Sequence, residues 1–182
     1  MRILFDAQQL TEQMTGVGYY SDRVLRGMLR PGRGHEWLLL CHAGNAEYVG
    51  KLASDCPPAK LLTLQKPVPL DYRVQKRRLA EVLPREKADL YFSPSFLSAP
   101  KACCPSVSVI HDATYVLYPE FHPPRVAEYL HSCVADTCAE AALVVTMSEN
   151  SRRDIARFYR YPAERVRVVP LAADEEFFRE RS

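Results

Sequence analysis

A chain of 182 residues can bury one full hydrophobic core, and 47% apolar with 25% charged residues is the composition of a folded domain, not of a disordered segment. Lys and Arg (24) nearly balance Asp and Glu (22), leaving +2, so the strong basic surplus of a nucleic-acid binder is absent. The longest apolar runs, such as residues 141–145, fall far short of the roughly 18 residues a membrane span needs, and MRILFDAQQL lacks a secretory apolar core. A cytoplasmic location is the default expectation.

Short apolar runs alternate with longer segments of helical period, the pattern of a parallel sheet with helices on its faces. The first run is RILFD (2–6). Val17, Tyr20, Val24 and Met28 then recur at helical spacing, opposite Arg23, Arg26 and Arg30, and Pro31-Gly32 ends that helix. EWLLLC (36–41) and KLLTLQ (60–65) read as strands, and residues 67–84 as a basic helix carrying Arg73, Lys76, Arg77 and Arg78. That cluster suits a solvated face, with an anion or anionic membrane surface as the alternative. DLYFS (89–93) and SVSVIH (106–111) follow as strands. Pro123-Pro124 opens a helix reaching Glu140, with a stripe of Val126, Leu130, Val134 and Cys138. After ALVVTM (142–147), Ser148 caps a helix burying Ile155, Phe158 and Tyr159, and RVRVVP (165–170) is the last strand. Continuously apolar strands are those covered on both faces, so the expected fold is α/β: a Rossmann-like, doubly wound, mostly parallel sheet of about seven strands.

Six cysteines, at 41, 56, 103, 104, 133 and 138, form no C-x-x-C pair and no Cys/His cluster at zinc spacing. They read as reduced buried thiols. Adjacent Cys103 and Cys104 are redox candidates with only Lys101 nearby to lower a thiol pKa.

Three segments could carry chemistry. In TGVGYY, Gly16 and Gly18 stand at a loop-to-helix junction, where amide N–H groups can meet a phosphate. The dinucleotide fingerprint is not met: Ser21 replaces its third glycine, and Gly16 lies too far beyond Asp6 for the tight turn. A phosphate site and a plain loop both stay open. His111-Asp112 ends a strand, on the edge where parallel sheets bind ligands, and an aromatic loop with Tyr115, Tyr118 and Phe121 follows. A substrate role competes there with a hydrogen-bonded histidine and a turn aspartate. Ser148 sits in TMSEN, not G-x-S-x-G, so capping explains it and a serine hydrolase is not indicated.

In order, these segments resemble the N-terminal domain of glycosyltransferase family 4, retaining enzymes of the GT-B fold. The resemblance is carried by T-G-[IV]-G-x-Y at Thr15–Tyr20, by H-D at His111-Asp112, by the S-E-x-S-[RK]-x-D-[IL] pattern within 141–155, and by the P-x-[GA]-x-D-x-x-F pattern within 162–177. It implies an acceptor-side domain of a hexosyltransferase that uses a nucleotide-diphosphate sugar and a glycan or lipid-linked acceptor. Gly16, Val17 and Gly18 would meet the donor diphosphate and sugar, and His111 and Asp112 would serve the catalytic site, Asp112 chiefly by orienting His111 or the loop. Tyr19, Tyr20 and Tyr115 would face the acceptor. No cofactor or metal is implied. A front-face reaction, in which the leaving diphosphate helps take the acceptor's proton, is the mechanism such a family suggests.

On this reading residues 1–182 form one domain, residues 171–182 begin a linker to a C-terminal donor-binding domain, and the fragment alone is inactive. A lipid-linked acceptor would place the enzyme at the inner face of the membrane, with Arg73–Arg78 as the peripheral contact. No nucleic-acid partner is expected. The alternative is a stand-alone, non-catalytic α/β module that binds a ligand or partner.

Overall fold

The computed structural model describes residues 1–11, 14–30, 34–54, 59–65 and 71–173. Seven strands, β1 (Arg2–Asp6), β2 (Glu36–His42), β3 (Ala59–Leu64), β4 (Leu90–Ser93), β5 (Ser106–Val109), β6 (Leu143–Thr146) and β7 (Val166–Val168), form one sheet in the order β3-β2-β1-β4-β5-β6-β7. Every pairing is parallel. The helices are α1 (Gly16–Met28), α2 (Ala46–Ser54), α3 (Tyr72–Arg85), α4 (Thr114–Leu117), α5 (Pro124–Glu140) and α6 (Glu149–Tyr159).

Strand pleating divides the core. Phe5, Leu39, Phe92 and Val109 pack on one face with Leu25 of α1 and Val49 of α2, and Phe5 stacks on Phe92 with ring centroids 5.4 Å apart. Leu4, Leu38, Leu40 and Tyr91 point the other way, onto Leu79 and Leu83 of α3 and Cys133 of α5. Farther along that side Ile110, Val144 and Val166 meet Val134 of α5 and Ile155 of α6. Both faces are covered, which is why Trp37 through Cys41 are all buried and the strand reads as an unbroken apolar run.

Local chemistry sets the helix ends. The Ser148 hydroxyl accepts from the Ser151 amide to start α6, and Asp71 accepts from the amides of Arg73 and Val74 to start α3. The expected start of α3 at residue 67 lies outside the described residues. Three features differ from the sequence reading. Helix α2 has no counterpart in it. The aromatic loop after His111 folds into α4 and a 3-10 turn at Pro119–Phe121. In α1 the fully buried line runs through Gly18, Ser21, Asp22 and Leu25, while Tyr20, Val24 and Met28 are half-buried.

The loops after β1 and β2 are locked together by Asn45. Its buried side chain donates to the carbonyls of Ala7 (2.9 Å) and Leu10 (2.6 Å), and its Oδ1 accepts from the His42 amide (2.9 Å). One side chain thus joins two carbonyls and one N–H beyond the strand ends. Asn45→Ala should cost about 2–4 kcal/mol in chemical denaturation by taking the side-chain partner from the Leu10 carbonyl and the His42 amide, while the Ala7 carbonyl keeps the Leu10 amide (3.1 Å); a loss below about 0.5 kcal/mol would show that the loops hold without it.

Candidate active site

Helix α1 begins at the carboxyl edge of the sheet. Thr15 is its N-cap, its Oγ1 accepting from the Gly18 amide at 3.4 Å. The amides of Gly16 and Val17 come before the first intrahelical bond and have no partner among the described residues, so they stand unpaired at the positive end of the helix. The two glycines have different reasons to be glycine. A Cβ at Gly18 would stand 3.2 Å from the Gln9 carbonyl oxygen and 3.3 Å from Met14 Cβ, so the chain's own loop demands glycine there. A Cβ at Gly16 would meet nothing within 4 Å. The chain's packing gives no reason for glycine at that position, and the space beside its amide is open.

A cleft of about 480 Å³ lies alongside, lined by Gly16, Tyr19, Tyr20, Arg23 and the segment 169–173 beyond β7. Tyr19 and Leu171 are exposed there at 57% and 67%, so the cleft has an apolar lip.

His111 lies two residues beyond β5, and Tyr20 joins it to this cleft. The Tyr20 ring meets the His111 ring edge-on at 5.0 Å, and Phe96 flanks it at 5.5 Å. The Pro94 carbonyl lies 2.9 Å from His111 Nε2. A carbonyl can only accept, so Nε2 carries the hydrogen and Nδ1 of the neutral ring keeps its lone pair. Burial pushes the His111 pKa below its ordinary value, only partly offset by the Pro94 carbonyl and the charge of Asp112. The seat has a conformational cost: Phe96 adopts φ +47°, a left-handed backbone that costs a non-glycine residue about 1 kcal/mol. Its amide donates to the Val109 carbonyl (2.7 Å), and its own carbonyl accepts from Thr137 Oγ1 (2.6 Å).

Asp112 closes a turn. Its Oδ1 accepts from the amide (2.9 Å) and the hydroxyl (2.7 Å) of Thr114, and no hydrogen bond links it to the His111 ring. Tyr115, expected to face an acceptor, is instead 3% exposed, its hydroxyl accepting from Tyr159 at 2.8 Å; it anchors the loop from beneath. Gly16, Tyr19 and Tyr20 therefore line the cleft, Val17 follows Gly16 in the helix start, and His111 is linked to the cleft through the Tyr20 ring. Pro94 and Phe96 complete the site and were not legible as candidates, because one acts through a carbonyl and the other through a backbone conformation.

Other expectations sort themselves by contact. Lys76 is bound between Asp136 and Glu140 of α5, so it is withdrawn from the basic face that includes Arg73 and Arg77. Burial, with the charge of Cys103 adding, pushes the Cys104 thiol up to about 11, which argues against a reactive thiolate, and Cys56 lies outside the described residues. No group of His, Cys, Asp and Glu that could hold a metal occurs among the described residues, and no helix there is long and apolar enough to cross a membrane.

The depressed His111 pKa has a sign. The unfolded chain takes up the proton first as pH falls through 6.5, so this residue withdraws stability between 6.5 and its lower folded pKa. An NMR titration should place the His111 midpoint below 6.5, and His111→Gln should flatten the stability slope in that window. A midpoint at or above 6.5 would contradict the buried, neutral seat.

With this geometry in hand, comparison with known proteins is informative. O-antigen chain mannosyltransferase B of Escherichia coli is 29% identical over 189 residues, which cover 97% of this chain and 49% of that protein. The chain thus spans about half the length of the curated relative it matches. Similar folds occur in Arabidopsis thaliana UGT89C1 complexed with UDP-L-rhamnose (TM-score 0.54, 12% identity, 96% of this chain and 53% of that one). They also occur in UDP-GlcNAc 2-epimerase from Neisseria meningitidis bound to UDP-GlcNAc (TM-score 0.56, 15% identity, 92% and 45%). At such identities these two speak for the fold. The family model Glycosyltransferase Family 4 matches residues 14–177, nearly the whole chain, and the chain belongs to that family.

Proposed function

We propose that this chain is the acceptor-side domain of a retaining hexosyltransferase that takes its sugar from a nucleoside-diphosphate donor and works with a second, donor-binding domain. The observation that carries the reading is the open N-terminus of α1: the unpartnered amides of Gly16 and Val17 beside a histidine held neutral, in a chain of this family. Mannose is the first candidate for the transferred sugar, since the curated relative is named a mannosyltransferase.

In this account the amides of Gly16 and Val17 receive the donor diphosphate, where a helix start favours negative charge. Negative charge grows on the diphosphate as the glycosidic bond breaks, so preorganised amides stabilise the transition state more than the ground state. The leaving diphosphate takes the proton of the attacking acceptor hydroxyl on the same face, which retains configuration. His111, with Nε2–H committed to Pro94, offers Nδ1 as an acceptor for a hydroxyl of the donor sugar and so fixes its orientation. Asp112 acts through the loop it closes.

In a protein carrying both domains, His111→Ala should lower kcat about 100-fold while the thermal midpoint moves by only a few degrees. Near-normal turnover would reduce the histidine to a packing element. Gly16→Val should raise the donor KM more than the acceptor KM, because its side chain would enter the open space beside the amide, which the protein itself leaves empty. Equal effects on both substrates would contradict the assignment of Gly16 to the diphosphate.

A further inference from the structure

Residues 94–97, the loop leaving β4, seat His111 and are themselves held by their carbonyls. Pro94 accepts from His111 Nε2 (2.9 Å), Ser95 from Ser93 Oγ (3.0 Å), Phe96 from Thr137 Oγ1 (2.6 Å) and Leu97 from Ser108 Oγ (2.9 Å). The three hydroxyl donors, Ser93, Ser108 and Thr137, are all fully buried. Ser93 and Ser108 belong to β4 and β5, and His111 follows β5, so these donors share the sheet with the loop they hold. Thr137 does not. It stands within α5, 41 residues along the chain from the carbonyl it meets.

The Thr137 hydroxyl is committed to that carbonyl. A hydroxyl has one hydrogen and a carbonyl can only accept, so at 2.6 Å the hydrogen points to Phe96. A threonine in a helix ordinarily returns its hydroxyl to a carbonyl of its own preceding turn, and this one leaves its helix instead. Its neighbours on the buried stripe of α5 are Cys133 and Val134, among which an apolar side chain would pack with no polar group to satisfy. The reason for a hydroxyl at 137 therefore lies across the interface and not in the helix. Cys133 Sγ reaches the same carbonyl at 3.7 Å, as a weak second donor.

The bond restrains a residue with a reason to turn. Phe96 is left-handed at φ +47°, and both of its flanking peptide groups are pinned, the amide to the Val109 carbonyl (2.7 Å) and the carbonyl to Thr137. With the Thr137 donor gone, the carbonyl is left with only the weak thiol, and rotation toward negative φ relieves the backbone cost as well. That rotation moves the Phe96 ring, which flanks His111 at 5.5 Å, and shifts the segment carrying the Pro94 carbonyl. The other supports of the histidine, the Tyr20 ring at 5.0 Å and Thr146 Oγ1 at 3.4 Å from the His111 carbonyl, come from α1 and β6 and are unaffected.

We propose that Thr137 is a positioning residue for His111: its buried hydroxyl, acting through the Phe96 carbonyl, holds the imidazole in its seat and ties α5 to the reacting centre. The kinetic consequence rests on the transferase reading; the structural one does not. Thr137 itself touches no substrate.

The test is a series graded by donor strength, Thr137→Ser, Thr137→Cys and Thr137→Val, with Tyr161→Phe as the control, which removes a hydroxyl bond to the Ala141 carbonyl away from the histidine. Serine and cysteine are close in size and valine has the shape of threonine, so a packing role ranks the variants by volume and a positioning role ranks them by donor. In a protein carrying both domains, kcat should fall about tenfold in Thr137→Val, the loss of one hydrogen bond, and about threefold in Thr137→Cys, while each KM stays within about twofold and Thr137→Ser keeps about half of the turnover or more. By NMR the His111 midpoint, depressed by burial, should rise toward 6.5 in Thr137→Val and stay in place in Thr137→Ser and Tyr161→Phe; Asp112 and Tyr20, the titratable neighbours of the ring, are the same in every variant. If Thr137→Val does not fold, Thr137→Cys against Thr137→Ser carries the comparison. Turnover ordered by volume, a midpoint that stays at the wild-type value when the donor is lost, or an equal effect of Tyr161→Phe would overturn the proposal. A midpoint that moves in a protein turning over no nucleoside-diphosphate sugar would leave the positioning role standing and remove the transferase reading.

Discussion

Every strand of this sheet runs in the same direction, and the rest of the molecule follows from that constraint. Parallel pairing forces each connection to cross from one end of the sheet to the other, so all seven strands deliver their carboxyl ends to one edge. The loops carrying Gly16, Asn45, Ser95 and His111 therefore converge although more than ninety residues separate the first from the last. Helix α1 returns from that edge with its N-terminus still at it, which puts the positive end of a helix dipole where those loops meet.

The site is built by committing groups so that others are left over. The Pro94 carbonyl takes the hydrogen of His111 Nε2 and thereby leaves Nδ1 as an acceptor; Asp6 takes the Gln8 amide hydrogens and leaves Oε1 without a donor. Thr15 caps the Gly18 amide, and those of Gly16 and Val17 stay unpartnered. In each case the protein satisfies one half of a polar group from within and leaves the other half without a partner among the described residues. Holding Phe96 in a left-handed conformation is part of the cost of this arrangement, offset by the bonds its backbone makes to Val109 and Thr137.

Much of the fold was legible because burial on two faces writes itself into a strand as an unbroken apolar run, as in residues 37–41, and because Ser148 and Pro124 mark helix starts by their own chemistry. Helix α2 was not legible. Only Val49, Leu52 and Ala53 of its nine residues are buried, and Gly50 in its middle lowers the intrinsic helix preference. Tyr115 misled in the opposite way, since an aromatic residue in a proline-rich stretch has the appearance of an exposed loop residue, yet the α4 turn rotates it into the core. The residues that seat His111 leave no trace in a side-chain pattern, because they work through a carbonyl and a backbone angle. Asn45 resembles any turn asparagine until the three backbone groups it joins are seen together.

The central claim is that the start of α1 and the seated histidine together receive a diphosphate sugar. It is tested most directly by titrating the ¹⁵N-labelled chain with a nucleoside-diphosphate mannose and following Gly16, Val17 and the His111 ring. The account predicts saturable shifts at all three, in the millimolar range for one domain acting without the other, and their loss in Gly16→Val but not in Tyr115→Phe. Saturable binding that leaves Gly16 and His111 unmoved, or that survives Gly16→Val unchanged, would contradict it.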